Sequence, residues 1–264
     1  MSRLLLNSLP DWALILLFVG VVVLIGLGGL VFVRARLSGW RDEQSSQTVV
    51  GVGAIAMTFF ALVLALVIVD LYTAYKQASA DVTKEANTLI KIIQDADAFP
   101  PDHEEAVRLA VHNYVNEVRL NEFPALRDGH EQDRSPSQLL DISVALKNYT
   151  PDNQTQISFY DSAVSQVNDL VAERDDRISN ADSSVPGSLT GLLLVLALVS
   201  LGCAIFLTTH HFGLDVVLVL SIATIIGLGL VTVLILEFPF SGSIAVSSDQ
   251  LAQVARFSGL TQGP

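Results

Sequence analysis

The sequence predicts an all-α membrane protein. Four transmembrane helices are expected, with a membrane-proximal antiparallel four-helix bundle inserted between spans two and three. Three observations carry this. The 264 residues are 51% hydrophobic yet hold a formal charge of -12, and the mean hydropathy is +0.50. That pairing fits a membrane protein with an acidic aqueous part better than a soluble globule. Four runs of about 20 residues lack charge almost entirely, the length that crosses a bilayer at ~1.5 Å per residue. Between the second and third runs, apolar residues recur every three or four positions, as on one buried face of a helix.

Residues 12–33 form the first uncharged run. It is too long for the apolar part of a signal peptide and ends in Arg34 and Arg36 rather than a small-residue cleavage site, so a retained anchor is expected. Gly20, Gly26, Gly28 and Gly29 are expected to let neighbouring helices approach closely. A polar connection with Arg34, Arg36 and Arg41 leads to the second run, 49–69. Asp70 ends that run, but neither Pro nor Gly occurs from 54 to 98, so the helix should continue into water. Its stripe there is Leu71, Tyr75, Ala78, Val82, Ala86, Leu89, Ile93 and Ala96.

Pro100-Pro101 stops this helix, and Asp102 is positioned to cap the next, whose stripe Val107, Val111, Tyr114 and Val118 should run to Pro124. After a charged loop, a shorter helix shows Leu139, Ile142, Leu146 and Tyr149 on one face. The last bundle helix repeats Ile157, Tyr160, Val164, Val167, Val171, Arg174 and Ile178. The third and fourth spans, 188–209 and 216–236, are joined by a hairpin containing His210, His211 and Asp215. A short amphipathic helix at 249–257 would suit a membrane surface. The expected division is therefore a membrane hairpin at 1–70, an acidic helical bundle at 71–186, a second membrane hairpin at 187–237 and a tail at 238–264.

Residues 76–186 hold ten basic and twenty acidic side chains, which argues against nucleic acid and anionic headgroups as partners. The single cysteine, Cys203, forms no intrachain disulfide. His103-Glu104 has Val107 where a zinc protease needs its second histidine, and adjacent histidines such as His210 and His211 point apart. No nucleophile triad or phosphate loop is legible, so neither an enzyme nor a cofactor or metal is expected.

The combination of Glu85-Ala86-Asn87, Asn121-Glu122-Phe123-Pro124 after Tyr114, the basic pair Arg174 and Arg177, and Pro239-Phe240-Ser241-Gly242 resembles the bestrophin-like family of bacterial four-span membrane proteins. Bestrophins are pentameric anion channels with four spans and a helical aqueous region. The resemblance therefore implies an oligomeric channel or channel-related protein in the bacterial plasma membrane, and it makes Phe59 and Phe60 of the second span candidates for a pore constriction. Packed or lipid-facing phenylalanines are the plainer account. Asp70 and Glu237 end spans on the same face, where they either line an ion entrance or mark where lipid stops. A membrane-anchored sensor or scaffold is the alternative function. The partners to expect are lipid, further copies of the chain, and an anion or an unknown protein.

Two geometric expectations follow. Arg34, Arg36 and Arg41 in a short loop favour a cytoplasmic loop and an extracytoplasmic bundle, whereas Lys76, Lys84 and the family resemblance favour the reverse. Counting helix rise from Asp70 and from Pro186 places Glu85 and Arg174 at nearly equal heights. A buried salt bridge between them is expected, with Arg177 solvated.

Overall fold

A computed structural model describes residues 7, 10–36, 43–129, 137–181, 187–206, 212–242 and 244–259. Among these the chain is helical without strands, and four helices are long and apolar enough to span a membrane. The long ones are α1 (Asp11–Arg36), α2 (Glu43–Ala96), α7 (Gly187–Phe206) and α8 (Phe212–Leu236); between them lie α3 (Pro101–Glu117), a π turn (Val118–Glu122), α4 (Phe123–Asp128), α5 (Ser137–Lys147) and α6 (Gln154–Ala181), and α9 (Asp249–Phe257) follows them. As expected, α2 runs unbroken past Asp70. The chain divides into two units, Met1–Thr73 with Ser184–Glu237 and Ala74–Ser183 with Phe238–Pro264.

In the first unit α1 packs on α7 and α8. Backbone closeness depends on glycine: a Cβ on Gly227 of α8 would stand 2.9 Å from the Cα of Val19. Of the four glycines expected to permit close approach in the first span, Gly26 and Gly29 face neighbouring side chains, while Gly20 and Gly28 face open space. Asp215 is not in a hairpin but in the first turn of α8, fully buried. Its Oδ2 lies 3.2 Å from Nη1 of Arg34 in the last turn of α1, and the Arg34 guanidinium sits 4.8 Å from the Phe212 ring centroid. Each charge opposes the dipole of its own helix end. His210 and His211 lie outside the described residues.

The second unit encloses its own apolar core. The expected stripe of α2 is buried from Ala78 to Ala96, as are Val107, Val111 and Tyr114 of α3, Val118 of the π turn, and Leu139, Ile142 and Leu146 of α5. Three expectations need correction. Asp102 lies inside the first turn of α3, because Pro101 takes the first helical position and Pro100 the cap. Pro124 does not end the helix, which passes through the π turn into α4 and stops where Gly129 turns left-handed at φ 78°. The buried face of α6 consists of Ala163, Val167, Leu170, Arg174, Arg177 and Ala181, leaving Ile157, Val164 and Val171 exposed. The observed face also repeats in steps of four and three and shares Val167 and Arg174 with the expected one. The expectation took Val164, Val171 and Ile178, each one position past Ala163, Leu170 and Arg177 and so ~100° round the helix. The C-terminal helix α9 joins this core through Leu251, Val254 and Ala255, and packs on α3. Its apolar face is thus covered by protein rather than a membrane surface.

A buried ion network in the helical unit

Three hydrogen-bonded rungs tie α2 to α6. Asn180 Nδ2 donates to Asp81 Oδ2 at 2.7 Å, Arg177 Nε donates to Glu85 Oε2 at 2.6 Å, and Thr88 Oγ1 donates to Glu173 Oε1 at 3.1 Å. Moving along α2 by four and then three residues moves back along α6 by three and then four, so the two helices run antiparallel. Positions 78, 82, 85 and 89 share one face of α2, which places Glu85 in the buried stripe.

This register overturns the expected Glu85–Arg174 pair. Glu85 binds Arg177, one helical turn further along, and Arg177 is fully buried rather than solvated. The rise count carried an error of one turn, because height along one helix does not fix the register between two. Arg174 is also buried, but its carboxylate is Glu122, reached by Nε at 3.0 Å and Nη2 at 2.7 Å. Glu122 is shared: Arg177 Nη2 donates to its other oxygen at 2.6 Å. Tyr114 donates its hydroxyl to Glu85 Oε1 at 2.6 Å. Two buried guanidiniums therefore face two buried carboxylates and a phenol, and the formal charges cancel.

The π turn supplies Glu122. At ~100° per residue, the four-residue steps Tyr114, Val118, Glu122 and Leu126 each advance ~40° and would carry the later residues off the buried face of a straight helix. Spreading one extra residue over a turn rotates them back, and the Phe123 N–H closes the wider ring onto the Val118 carbonyl. Pro124, the next residue, has no N–H to give to an α-helical partner, so the regular ladder is already interrupted there. Phe123 then covers the network: its ring centroid lies 5.5 Å from the Arg177 guanidinium carbon, and Phe240 meets it edge-on at 5.7 Å.

Burial sets the electrostatics. It disfavours the charged forms, but the Glu85 and Glu122 carboxylates outweigh that penalty at Arg177, whose pKa is raised further above its ordinary value. The Tyr114 phenol is pushed well above its usual range by burial and by the Glu85 charge, which keeps it a neutral donor. Burial also raises the Glu173 carboxyl, against the hydrogen bond from Thr88 and with help from Glu85 and Asp169.

The remaining residues singled out in the sequence lie elsewhere. Asn87 and Pro124 are exposed, so Thr88 rather than Asn87 makes the neighbouring bond across to α6. Pro239 and Phe240 are buried in the turn after the last span; Ser241 Oγ donates to the Arg127 carbonyl at 2.7 Å, and Gly242 adopts φ 82°. In the membrane unit, Phe60 is 1% exposed within the core and Phe59 is 56% exposed. Asp70 is exposed and Glu237 half-buried. Asp81 and the Arg34–Asp215 pair were missed, and Glu122 was named only within the family motif, with no partner assigned. The signal for Glu122 was its position four residues after Val118 in an apolar stripe.

At the C-terminal helix, the Ser258 hydroxyl donates to the Ala255 carbonyl at 2.7 Å. Its contact with His112 Nδ1 at 3.2 Å therefore requires the imidazole nitrogen to be the donor. A polar groove of about 310 Å³ is lined by Asn113, Asn116 and Glu117 of α3, Asn121 of the π turn, and Gln138 and Asp141 of α5, among others.

The model of a family described as Bestrophin-like, with a Bestrophin-like domain, matches residues 20–251. No curated protein and no solved structure matches the chain.

Proposed function

Since this chain belongs to the bestrophin-like family, we propose that it acts as an oligomeric anion channel or channel-related protein of the bacterial plasma membrane. The observation that carries this is the outward face of α2. Val52, Ile55, Phe59, Leu62, Leu66 and Val69 are all more than half exposed, at alternating steps of three and four. That spacing is the seam by which helices pack side by side, and it leads to the exposed carboxylate of Asp70. In an oligomer, such a stripe on the second span would face neighbouring copies or an axial path, with Phe59 near its middle. Phe60 packs within the chain and belongs to the core rather than to such a path.

Purified protein in liposomes tests the reading. Chloride efflux above that of empty vesicles is expected, and Phe59→Ala should change its rate without lowering thermal stability. Phe60→Ala should instead destabilise the protein by ~3–5 kcal/mol, the range for emptying an aromatic core position. Vesicles no leakier than empty ones would overturn conduction and favour a ligand sensor. The groove lined by Asn113, Gln138 and Asp141 supports that second reading, since carboxamides and carboxylates can recognise a polar ligand.

A further inference from the structure

The arginines of α6 hold Glu122 as a receptor holds a ligand. Arg174 gives Nε and Nη2 to one carboxylate oxygen, and Arg177 gives Nη2 to the other. Both oxygens of one carboxylate are thereby gripped by guanidiniums one turn apart. Arg177 Nη1 is buried and has no hydrogen-bond partner among the described residues, so the clamp has more donors than its occupant uses. The occupant is delivered by an irregular segment, the π turn, whose return to α-helical geometry would swing Glu122 by ~100°. Pro124 opposes that return, because its ring would meet the Leu120 carbonyl in a regular helix.

We propose that the Arg174–Arg177 clamp is a binding site for a small monocarboxylate, occupied at rest by the chain's own Glu122, and that the π turn is the hinge on which Glu122 enters and leaves it. Charge selects the ligand. With Glu122 withdrawn, Glu85 is the one buried carboxylate left to the two guanidiniums among the described residues, since Asp175, 3.9 Å from Arg174 Nη1, is exposed. One further buried negative charge restores neutrality in the interior. A dianion would leave an excess charge in a buried place, which is costly. Shape narrows the choice: two coplanar oxygens match the guanidinium fork, and a spherical halide does not. Formate and acetate reproduce the part of Glu122 that the clamp grips.

The test uses the full chain in detergent, with sodium formate compared against sodium chloride at equal ionic strength. Glu122→Ala empties the clamp and keeps both arginines. Formate should raise the unfolding temperature of this variant in a saturable way, chloride should not, and the wild type should respond to neither. Pro124→Ala keeps Glu122 but frees the hinge. Its amides at 118–127 should exchange roughly tenfold faster than in the wild type, as expected for a cheaper local opening. Formate should quicken that exchange further by competing with Glu122, and adding Arg174→Gln should abolish the formate effect. Formate acting no better than chloride on Glu122→Ala would overturn the binding site. If Glu122→Ala does not fold, formate leaving exchange in Pro124→Ala unchanged would overturn it instead. Rescue of Glu122→Ala together with unaltered exchange in Pro124→Ala would overturn the hinge.

Discussion

Arg177 has no exposure and Arg174 only 3%, and neither guanidinium can lose its charge at ordinary pH. Their carboxylates must therefore be present and placed, or the interior carries an unpaired charge. Removing one partner of such a pair costs ~3–5 kcal/mol. Glu85→Ala and Arg177→Ala should each lower stability on that scale, and the double variant should cost clearly less than the two together, as measured by denaturation in detergent. Additive losses would contradict the contact. Tyr114 adds a pH dependence. Its folded pKa lies well above its ordinary value of 10.0, so above pH ~10 the unfolded chain releases a proton that the folded chain retains. The contribution is complete below that pH and is lost as pH rises through and beyond it. Tyr114→Phe should flatten this alkaline loss while costing ~1.5–3 kcal/mol at neutral pH, the worth of a hydrogen bond to a charged group.

At the scale of elements, the helices are joined by charge as well as by apolar packing. Arg34 at the end of α1 and Asp215 at the start of α8 join by charge two helices that also pack through Leu30 and Val219. Asp215→Asn should lower the unfolding temperature in detergent. Adding Arg34→Gln should recover part of the loss, since the second change removes the uncompensated charge. A double variant less stable than Asp215→Asn alone would assign Arg34 a different role. The C-terminal helix shows the same reasoning for an apolar face. Its Leu251 and Val254 need a nonpolar surface, and the helical unit provides one. Leu251→Ala should destabilise that unit by ~2–5 kcal/mol, as for other buried leucines.

For the whole molecule, the distribution of basic residues bears on which side of the membrane carries the helical unit. The arginines near the end of α1 favour a cytoplasmic loop there, hence an extracytoplasmic helical unit. We propose that orientation, against the cytosolic aqueous region that bestrophins would suggest. Asp128 is exposed at the end of α4, so Asp128→Cys should react with an impermeant thiol reagent applied to intact cells. Labelling only after permeabilisation would reverse the assignment.

Four spans, a helix continuing beyond the second of them, and the buried stripes of α2, α3 and α5 were all legible in the sequence. Each depends on a local property: length without charge, absence of Pro and Gly, or a spacing of three and four. The family resemblance drew attention to Glu85, Glu122, Arg174 and Arg177, but not to how they pair. That was decided only by tertiary structure. Helix rise fixes height along one helix, whereas pairing depends on the register between two, and an error of one turn exchanges Arg174 for Arg177. Glu122 faces inward because a π turn, invisible to regular periodicity, rotates the chain ahead of Pro124. The Arg34–Asp215 contact lies between residues 181 positions apart, and no local pattern in the chain encodes such a meeting.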